Sequence, residues 1–244
     1  MNQRNKAILL GLYLSKFNDE ALKEFGFKSF QEAFNVLGLS IGSKPASIKN
    51  YRDEFDPYFP NNRKGWHKRE FRDYCKAIYN EFSSLDFYDF SELVKSFLFK
   101  NYEIERFIKN ELKEDFSEKL AKRLMTGIAA EEYFKFNYSK INYFNSYSLK
   151  DTTNMACGFD YKLFNKDSYY CIEVKGINEK KGNILLTEKE YHTANKLKAK
   201  YCLFVVKNFK EKPFHEMIFD PLNAKINFKE FKREVIQLSY NAYL

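Results

Sequence analysis

Apolar residues repeat with the period of an α-helix through the N-terminal part of the chain. Positions 7–17 carry an apolar face, and residues 19–25 form a shorter second helix. Ser29 and Glu32 have the spacing of a capping box, in which each side chain accepts from the other residue's backbone N–H. The pattern therefore predicts a third helix that runs to Leu37 and stops at Gly38.

The next apolar pattern predicts a helix with one polar side. Ser43 is the expected cap, Pro45 fits the first turn, and a buried stripe follows at spacings of three and four residues. A helix, a glycine-containing turn and a basic second helix are typical of a helix-turn-helix unit, although ordinary helical hairpins share the pattern. The stripe is Ile48, Tyr51 and Phe55, and the outward positions are Lys44, Ser47, Lys49, Asn50 and Arg52. We expect phosphate contacts from the basic outward residues and base-edge contacts from Ser47 and Asn50.

Two more helices, about 69–82 and 88–99, complete the helical part, and the pattern changes after Asn101. A helix of about 116–136 follows, with apolar positions at Leu120, Leu124, Ile128, Phe134 and later Tyr138. Three β-prone runs then appear, and a helix of about 187–199 separates the last two. The runs are 159–164, 169–174 and 201–206. This order predicts an α/β fold with a mixed sheet flanked by helices, preceded by an all-α N-terminal domain. The expected division is residues 1–100 for DNA recognition and 101–244 for chemistry.

Positive charge is concentrated in two stretches. The chain carries a formal charge of +8; residues 44–72 hold eight basic against four acidic residues, and residues 176–212 hold nine against four. Two basic surfaces suit a phosphate backbone held from two sides, whereas solvated faces would have the same composition. Arg63 and Lys64 join the first surface as candidate DNA contacts.

Several classes of function lack a signature in this sequence. The four cysteines are scattered without a C-x-x-C pair, the three histidines form no H-x-x-x-H, and no phosphate-binding glycine loop appears. No apolar run approaches the roughly 20 residues of a membrane span, and the apolar run after Arg4 and Lys6 has no cleavage site. We therefore expect a cytoplasmic protein that uses neither zinc nor ATP and contacts no membrane.

The segment from Gly158 to Gly176 carries the strongest chemical signal. Turn-forming residues at 165–168 lie between two β-prone runs and predict a hairpin in which Phe164 faces Tyr169 and Asp160 faces Glu173. Directly opposed residues share a face, and Lys175, two residues farther along, points the same way. Opposed carboxylates are unfavourable unless something compensates them, and Mg²⁺ does so with one or two carboxylates, water and substrate phosphate. The alternative is a surface hairpin with an ordinary ion pair between Glu173 and Lys175.

The motif D-x(12)-E-V-K-G on a hairpin resembles the PD-(D/E)xK nuclease superfamily, the restriction-endonuclease-like fold, over about residues 115–210. The resemblance implies Mg²⁺-dependent hydrolysis of nucleic-acid phosphodiesters, with Mn²⁺ as a substitute ion. It assigns metal binding to Asp160, Glu173 and the Val174 carbonyl, and it places Lys175 beside the attacking water. The residue before the Asp is usually Pro in that superfamily and is Phe159 here.

Flanking residues resemble the Mrr-like branch of that superfamily, which places a Glu on the helix before the hairpin. Glu131 is the candidate, and Glu132 is the alternative. Downstream, Thr187 would cap a helix whose Glu190 supports the site. Candidate phosphate contacts in this region are Lys181, Lys189 and Lys196.

These features favour a type II restriction endonuclease that cuts double-stranded DNA as a homodimer, since two strands need two cuts. One alternative is a repair or recombination nuclease that selects DNA by shape. Another is a DNA-binding regulator without hydrolytic activity, which would have no need to oppose two carboxylates.

Overall fold

The computed structural model describes residues 1–63, 65, 70–99, 114–224 and 226–230, and for residues 114–120 it describes the backbone alone. Within these ranges helices precede a mixed sheet, which confirms the predicted fold class. The helices are α1 (Gln3–Glu24), α2 (Phe30–Ser40), α3 (Pro45–Phe55), α4 (Asp73–Phe82), α5 (Phe87–Leu98), α6 (Glu114–Asn137) and α7 (Glu188–Leu197). The strands are β1 (Ser148–Asp151), β2 (Tyr161–Phe164), β3 (Tyr169–Ile177), β4 (Tyr201–Lys207) and β5 (Phe214–Phe219).

The five strands lie in sequence order across the sheet. β3 and β4 are parallel, with α7 in the connection between them, and every other neighbouring pair is antiparallel. The edge strands β1 and β5 were not predicted, because their residues are mostly exposed or half-buried and give no clear alternation. None of the described helices combines the length and the apolar character that a membrane span requires.

The β2–β3 hairpin has the predicted register. Phe164 pairs with Tyr169, and Tyr161 pairs with Ile172. Asp160 lies one residue before β2, and its backbone N–H donates to the Ile172 carbonyl at 2.9 Å. The pairing therefore continues to the position at which Asp160 and Glu173 were expected to meet.

Packing changes several helix boundaries. The two predicted N-terminal helices form α1, which is kinked at Asn18, a residue with a positive φ of 48°. Gly38 does not end α2, which continues to Ser40. A Cβ on Gly38 would lie 3.1 Å from the Pro45 Cα, so this glycine permits α2 and α3 to approach closely. Ser29 caps α2 as predicted, but the Glu32 carboxylate accepts from the Lys28 N–H at 2.7 Å instead of from Ser29.

Three expectations for individual side chains were wrong. Lys44 and not Ser43 is the N-cap of α3, without a capping hydrogen bond from its side chain. Arg52 was expected to point outward, but it is only 8% exposed because carboxylates and aromatic rings surround it. Leu124 is 38% exposed and Met125 is buried in its place, whereas Phe134 of the predicted stripe is buried as expected.

The helical part and the sheet share one hydrophobic core. Buried polar contacts also join them: Glu32 of α2 pairs with Lys122 of α6 at 2.5 Å and accepts from the Asn178 side chain at 2.8 Å. Asn35 donates to the Phe209 carbonyl at 2.7 Å. These contacts fix α2 against the segments that follow β3 and β4. The expected boundary at Asn101 lies outside the described residues, and the division into two domains stays a prediction.

Candidate active site

One face of the sheet carries the predicted chemistry. Successive side chains of a strand alternate between faces, so Glu173 and Lys175 of β3 share a face with their cross-strand neighbour Asp160. Ile172 and Val174, which alternate with them along β3, belong to the core on the other face. The structure thus brings together the three residues that the sequence singled out.

Lys175 lies between two carboxylates. Its ammonium is 2.6 Å from Glu173 Oε1 and 2.7 Å from Glu190 Oε2. Glu190 belongs to the first turn of α7, where it and Thr187 form a complete capping box. The helix cap therefore aims the Glu190 carboxylate at Lys175, which agrees with the supporting role predicted for Glu190.

Asp160 is held by the neighbouring strand. Its carboxylate accepts a hydrogen bond from the Val174 backbone N–H at 2.8 Å. Thr152 fixes the backbone of the same residue, because both its N–H and its hydroxyl donate to the Asp160 carbonyl at 2.9 Å. One carboxylate oxygen of Asp160 is thereby oriented by the backbone of β3.

Two carboxyl groups of this cluster, Asp160 and Glu173, have raised pKa values. Glu173 is 3% exposed, and burial together with repulsion from Asp160 raises its pKa to about 9. Burial also raises the pKa of Asp160, although the Val174 N–H and Lys175 oppose it. Burial alone would lower the pKa of Lys175, but Glu173 and Glu190 outweigh it and raise that pKa. The protein therefore holds Asp160, Glu173 and Glu190 around the single ammonium of Lys175, which contacts two of these acids.

These donors fit Mg²⁺. Among the described residues no group of three or more His, Cys, Asp or Glu side chains has the arrangement of a metal site. Mg²⁺ commonly takes only one or two carboxylates and completes its shell with water and substrate phosphate. Asp160 and Glu173 supply such a pair, and a divalent cation would favour their ionised forms, which burial disfavours. The Val174 carbonyl stays a predicted further ligand.

The helix that carries Glu131 packs on the opposite face of the sheet. A Cβ on Gly176 would lie 2.6 Å from the Thr126 carbonyl oxygen, so β3 approaches α6 closely just after Lys175. The charge of Glu131 acts on the phenol of Tyr161, whose pKa is raised mainly by burial. Glu132 pairs with Lys135 at 2.7 Å. Participation of Glu131 in the site stays a prediction.

The predicted DNA contacts on and after α3 differ in their surroundings. Lys44, Lys49 and Asn50 are exposed, Ser47 is half-buried, and Lys49 pairs with Asp53 at 2.6 Å. Arg52 is 2.6 Å from Asp53 Oδ1 and 3.7 Å from Asp56 Oδ2. The Arg63 guanidinium binds both oxygens of Asp56 at 2.6 and 2.8 Å. Both arginines are therefore engaged within the fold, and Lys64 lies outside the described residues.

The lysines near α7 are accessible. Lys181 lies in the loop after β3, while Lys189 and Lys196 are on α7, and all three are exposed. Lys189 and Lys196 border a shallow depression with His192. Their role in phosphate binding stays a prediction.

Residues 130–218 match the family described as Protein NO VEIN, C-terminal. The matched segment begins within α6, contains Asp160, Glu173, Lys175 and Glu190, and ends in β5. Neither the curated proteins nor the solved structures gave a significant match to the chain. The similarity to a known family thus covers the part of the chain that forms the candidate site.

Proposed function

We propose that this protein is a Mg²⁺-dependent endonuclease that hydrolyses phosphodiester bonds of double-stranded DNA. The observation that carries the proposal is the placement of Asp160 and Glu173 on one sheet face with a single ammonium, Lys175, between two carboxylates. A purely structural ion pair needs one acid for each base, whereas this cluster has an excess of buried acid. A divalent cation would balance it.

Each side chain has a distinct part in this proposal. Asp160 and Glu173 hold the ion, and the hydrogen bond from Val174 keeps Asp160 turned toward Glu173. Mg²⁺ in such a site lowers the pKa of a bound water and stabilises negative charge on the phosphate. Lys175 remains an ammonium because its carboxylate neighbours raise its pKa, so it donates hydrogen bonds to water or phosphate and does not accept a proton. Glu190 keeps the lysine in place.

Site-specific cleavage by a homodimer is the finer part of the proposal. Cutting both strands at one position requires two active sites, and a symmetric dimer supplies them. Plasmids of different sequence test this part: discrete fragments that map to one site support a restriction endonuclease. Cleavage at branched or damaged positions would instead indicate a repair enzyme.

The central experiment compares plasmid cleavage in Mg²⁺ by the wild type and three site variants, Asp160→Asn, Glu173→Gln and Lys175→Met. Removal of one preorganised charged group from an active site commonly lowers kcat by about 100-fold or more, and we expect at least that loss for each variant. Matched controls are Glu81→Gln and Lys76→Met, which change exposed residues of α4. These controls should cut like the wild type.

Two results would contradict the proposal. Equal cleavage by the wild type and by the site variants would assign the activity to a contaminant. Absence of cleavage by the wild type, across plasmids of varied sequence and methylation, would favour a DNA-binding protein without hydrolytic activity.

A further inference from the structure

The β2–β3 hairpin bears a second group of charges on the same sheet face as the candidate site. Lys162 lies two residues beyond Asp160, and Lys150 of β1 pairs directly with Lys162. Alternation along the strands places both ammonium groups on the face of Asp160 and Glu173, and two residues of a strand span about 6.8 Å. A basic surface therefore begins one side chain away from the acidic cluster.

This surface forms an open groove of about 480 Å³ at the hairpin end. Its lining includes three lysines and one carboxylate, together with two large exposed aromatic residues. These are Lys150, Lys162, Lys166, Asp167, Phe164 and Tyr169. Phe164 is 42% exposed and Tyr169 is 37% exposed. Lysines interleaved with accessible aromatic rings are typical of grooves that follow a nucleic-acid strand.

Aromatic contacts hold the lysines in place. The Lys162 ammonium lies 4.8 Å from the centroid of the Tyr169 ring. Lys200 approaches the same ring at 5.7 Å, and its ammonium is 2.7 Å from the Ser168 hydroxyl. Cation–π contacts of this kind order a long side chain without neutralising its charge. Tyr169 thus presents two ammonium groups beside the groove.

The positive charge of the groove is not balanced within the described part of the chain. Within those residues Lys150, Lys162, Lys166 and Lys200 form no ion pair. Like charges directly opposed across two strands are destabilising, so the Lys150–Lys162 pair is unfavourable without an anion. A phosphate backbone would relieve this repulsion and would extend toward the carboxylate pair.

We propose that this groove binds the phosphate backbone of the DNA strand that enters the candidate site, through Lys150, Lys162, Lys166 and Lys200. The proposal rests on the proposed function, because it takes the ligand to be the nuclease substrate. It adds a DNA contact on the sheet, apart from the predicted contacts on α3 and near α7. Tyr169 acts as a positioning residue for Lys162 and Lys200.

The test measures binding of a labelled duplex without divalent cations over a range of salt concentrations. The triple variant Lys150→Gln, Lys162→Gln, Lys166→Gln is compared with an equal change in charge at exposed lysines of the helical part, Lys23→Gln, Lys28→Gln, Lys76→Gln. Each lost phosphate contact lowers the slope of log affinity against log salt by about 0.9, so the groove variant should lose about two to three units. The control variant should keep the slope of the wild type.

A second measurement uses the unaltered protein and does not depend on the folding of a variant. Bound DNA should protect Lys150, Lys162 and Lys166 from acetylation, as read by mass spectrometry, and should leave Lys23, Lys28 and Lys76 reactive. Suppose that the wild type binds and cuts DNA, but the groove variant has the same salt slope as the control variant and DNA does not protect Lys150, Lys162 and Lys166 of the wild type from acetylation. The groove proposal is then wrong and the nuclease proposal stands. A wild type that neither binds nor cuts DNA would overturn both.

Discussion

The helical part and the sheet face that carries the candidate site differ in how their charges are paired. In the helical part Arg52 and Arg63 converge on the buried Asp56, and Arg72 pairs with the buried Glu54. On the sheet face, Lys175 is shared by two carboxylates at one end. At the other end, lysines line a groove that contains one carboxylate, Asp167, and none of these lysines forms an ion pair within the described residues.

This difference separates charge that stabilises the fold from charge that is available for a ligand. The stretch 44–72 is basic in sequence, yet its arginines Arg52, Arg63 and Arg72 are already paired with buried acids. Among the residues that the structure describes, the sheet face places an acidic cluster beside lysines that form no ion pair. A metal ion and a phosphate backbone are the ligands that would satisfy them together.

Arg52→Met should give the largest change in stability. Removing one partner of a buried ion pair costs about 3–5 kcal/mol, and we expect about 3 kcal/mol because Arg63 still partners Asp56. DNA affinity per folded molecule should not change. Urea unfolding and duplex binding of the same preparation measure the two effects. If Arg52→Met left the stability unaltered and weakened duplex binding, Arg52 would instead be a DNA contact.

Glu173→Gln should stabilise the metal-free protein. Its carboxyl group has a pKa raised to about 9, so at pH 8 folding requires an ionised group to take up a proton, and an uncharged amide removes that cost. A gain of 1 kcal/mol corresponds to a rise in Tm of about 2–4 °C for a chain of this size. Mg²⁺ should raise the Tm of the wild type and leave that of the variant nearly unchanged. An equal response to Mg²⁺ would place the ion elsewhere.

The stability of the metal-free wild type should fall between pH 7 and 8. Because the folded-state pKa of Glu173 lies above the ordinary value of 4.5, the folded state binds more protons in this window, and stability falls as the pH rises. The largest slope from one group is about 1.4 kcal/mol per pH unit. His215, whose pKa burial lowers from 6.5, acts in the opposite sense at lower pH. In urea unfolding at several pH values, the stability of Glu173→Gln should fall less steeply with pH than that of the wild type. An identical pH dependence would contradict the assignment of this effect to Glu173.

The smallest effect is expected for single lysines. Lys162→Gln should lower the salt slope of DNA binding by about 0.9 and leave stability unchanged or slightly higher, because its repulsion with Lys150 disappears. Lys49→Gln loses an exposed ion pair with Asp53, worth less than about 1 kcal/mol. Duplex binding of both variants over a salt series would show whether the groove or α3 contributes more to the salt slope. A larger slope change for Lys49 would favour α3 as the main contact.

Local rules predicted the hairpin and its neighbours well. The turn residues located the tip of the hairpin and so predicted the pairing of Phe164 with Tyr169. The alternation of side chains along a strand then predicted that Asp160 and Glu173 lie on the same face. Thr187 was predicted as a helix cap for the same reason, since a cap binds backbone N–H groups only a few positions away.

Elsewhere the same local rules gave wrong predictions, because contacts between distant parts of the chain decided the outcome. Gly38 looked like a helix stop, but it allows α2 and α3 to touch. Arg52 looked exposed by helical period, yet Asp56 and the ring of Phe30 enclose it. The edge strands β1 and β5 escaped notice because mostly exposed strands show no apolar alternation.

The sequence by itself determined the mixed α/β class with a helical N-terminal part, the hairpin register and the three central residues of the candidate site. Only the tertiary structure decided which charges are neutralised, because ion pairs such as Arg72 with Glu54 and Lys175 with Glu190 join residues from different elements. Composition counts charges, and their energy depends on burial and on the distance to the opposite charge. Those two quantities exist only once the chain is folded.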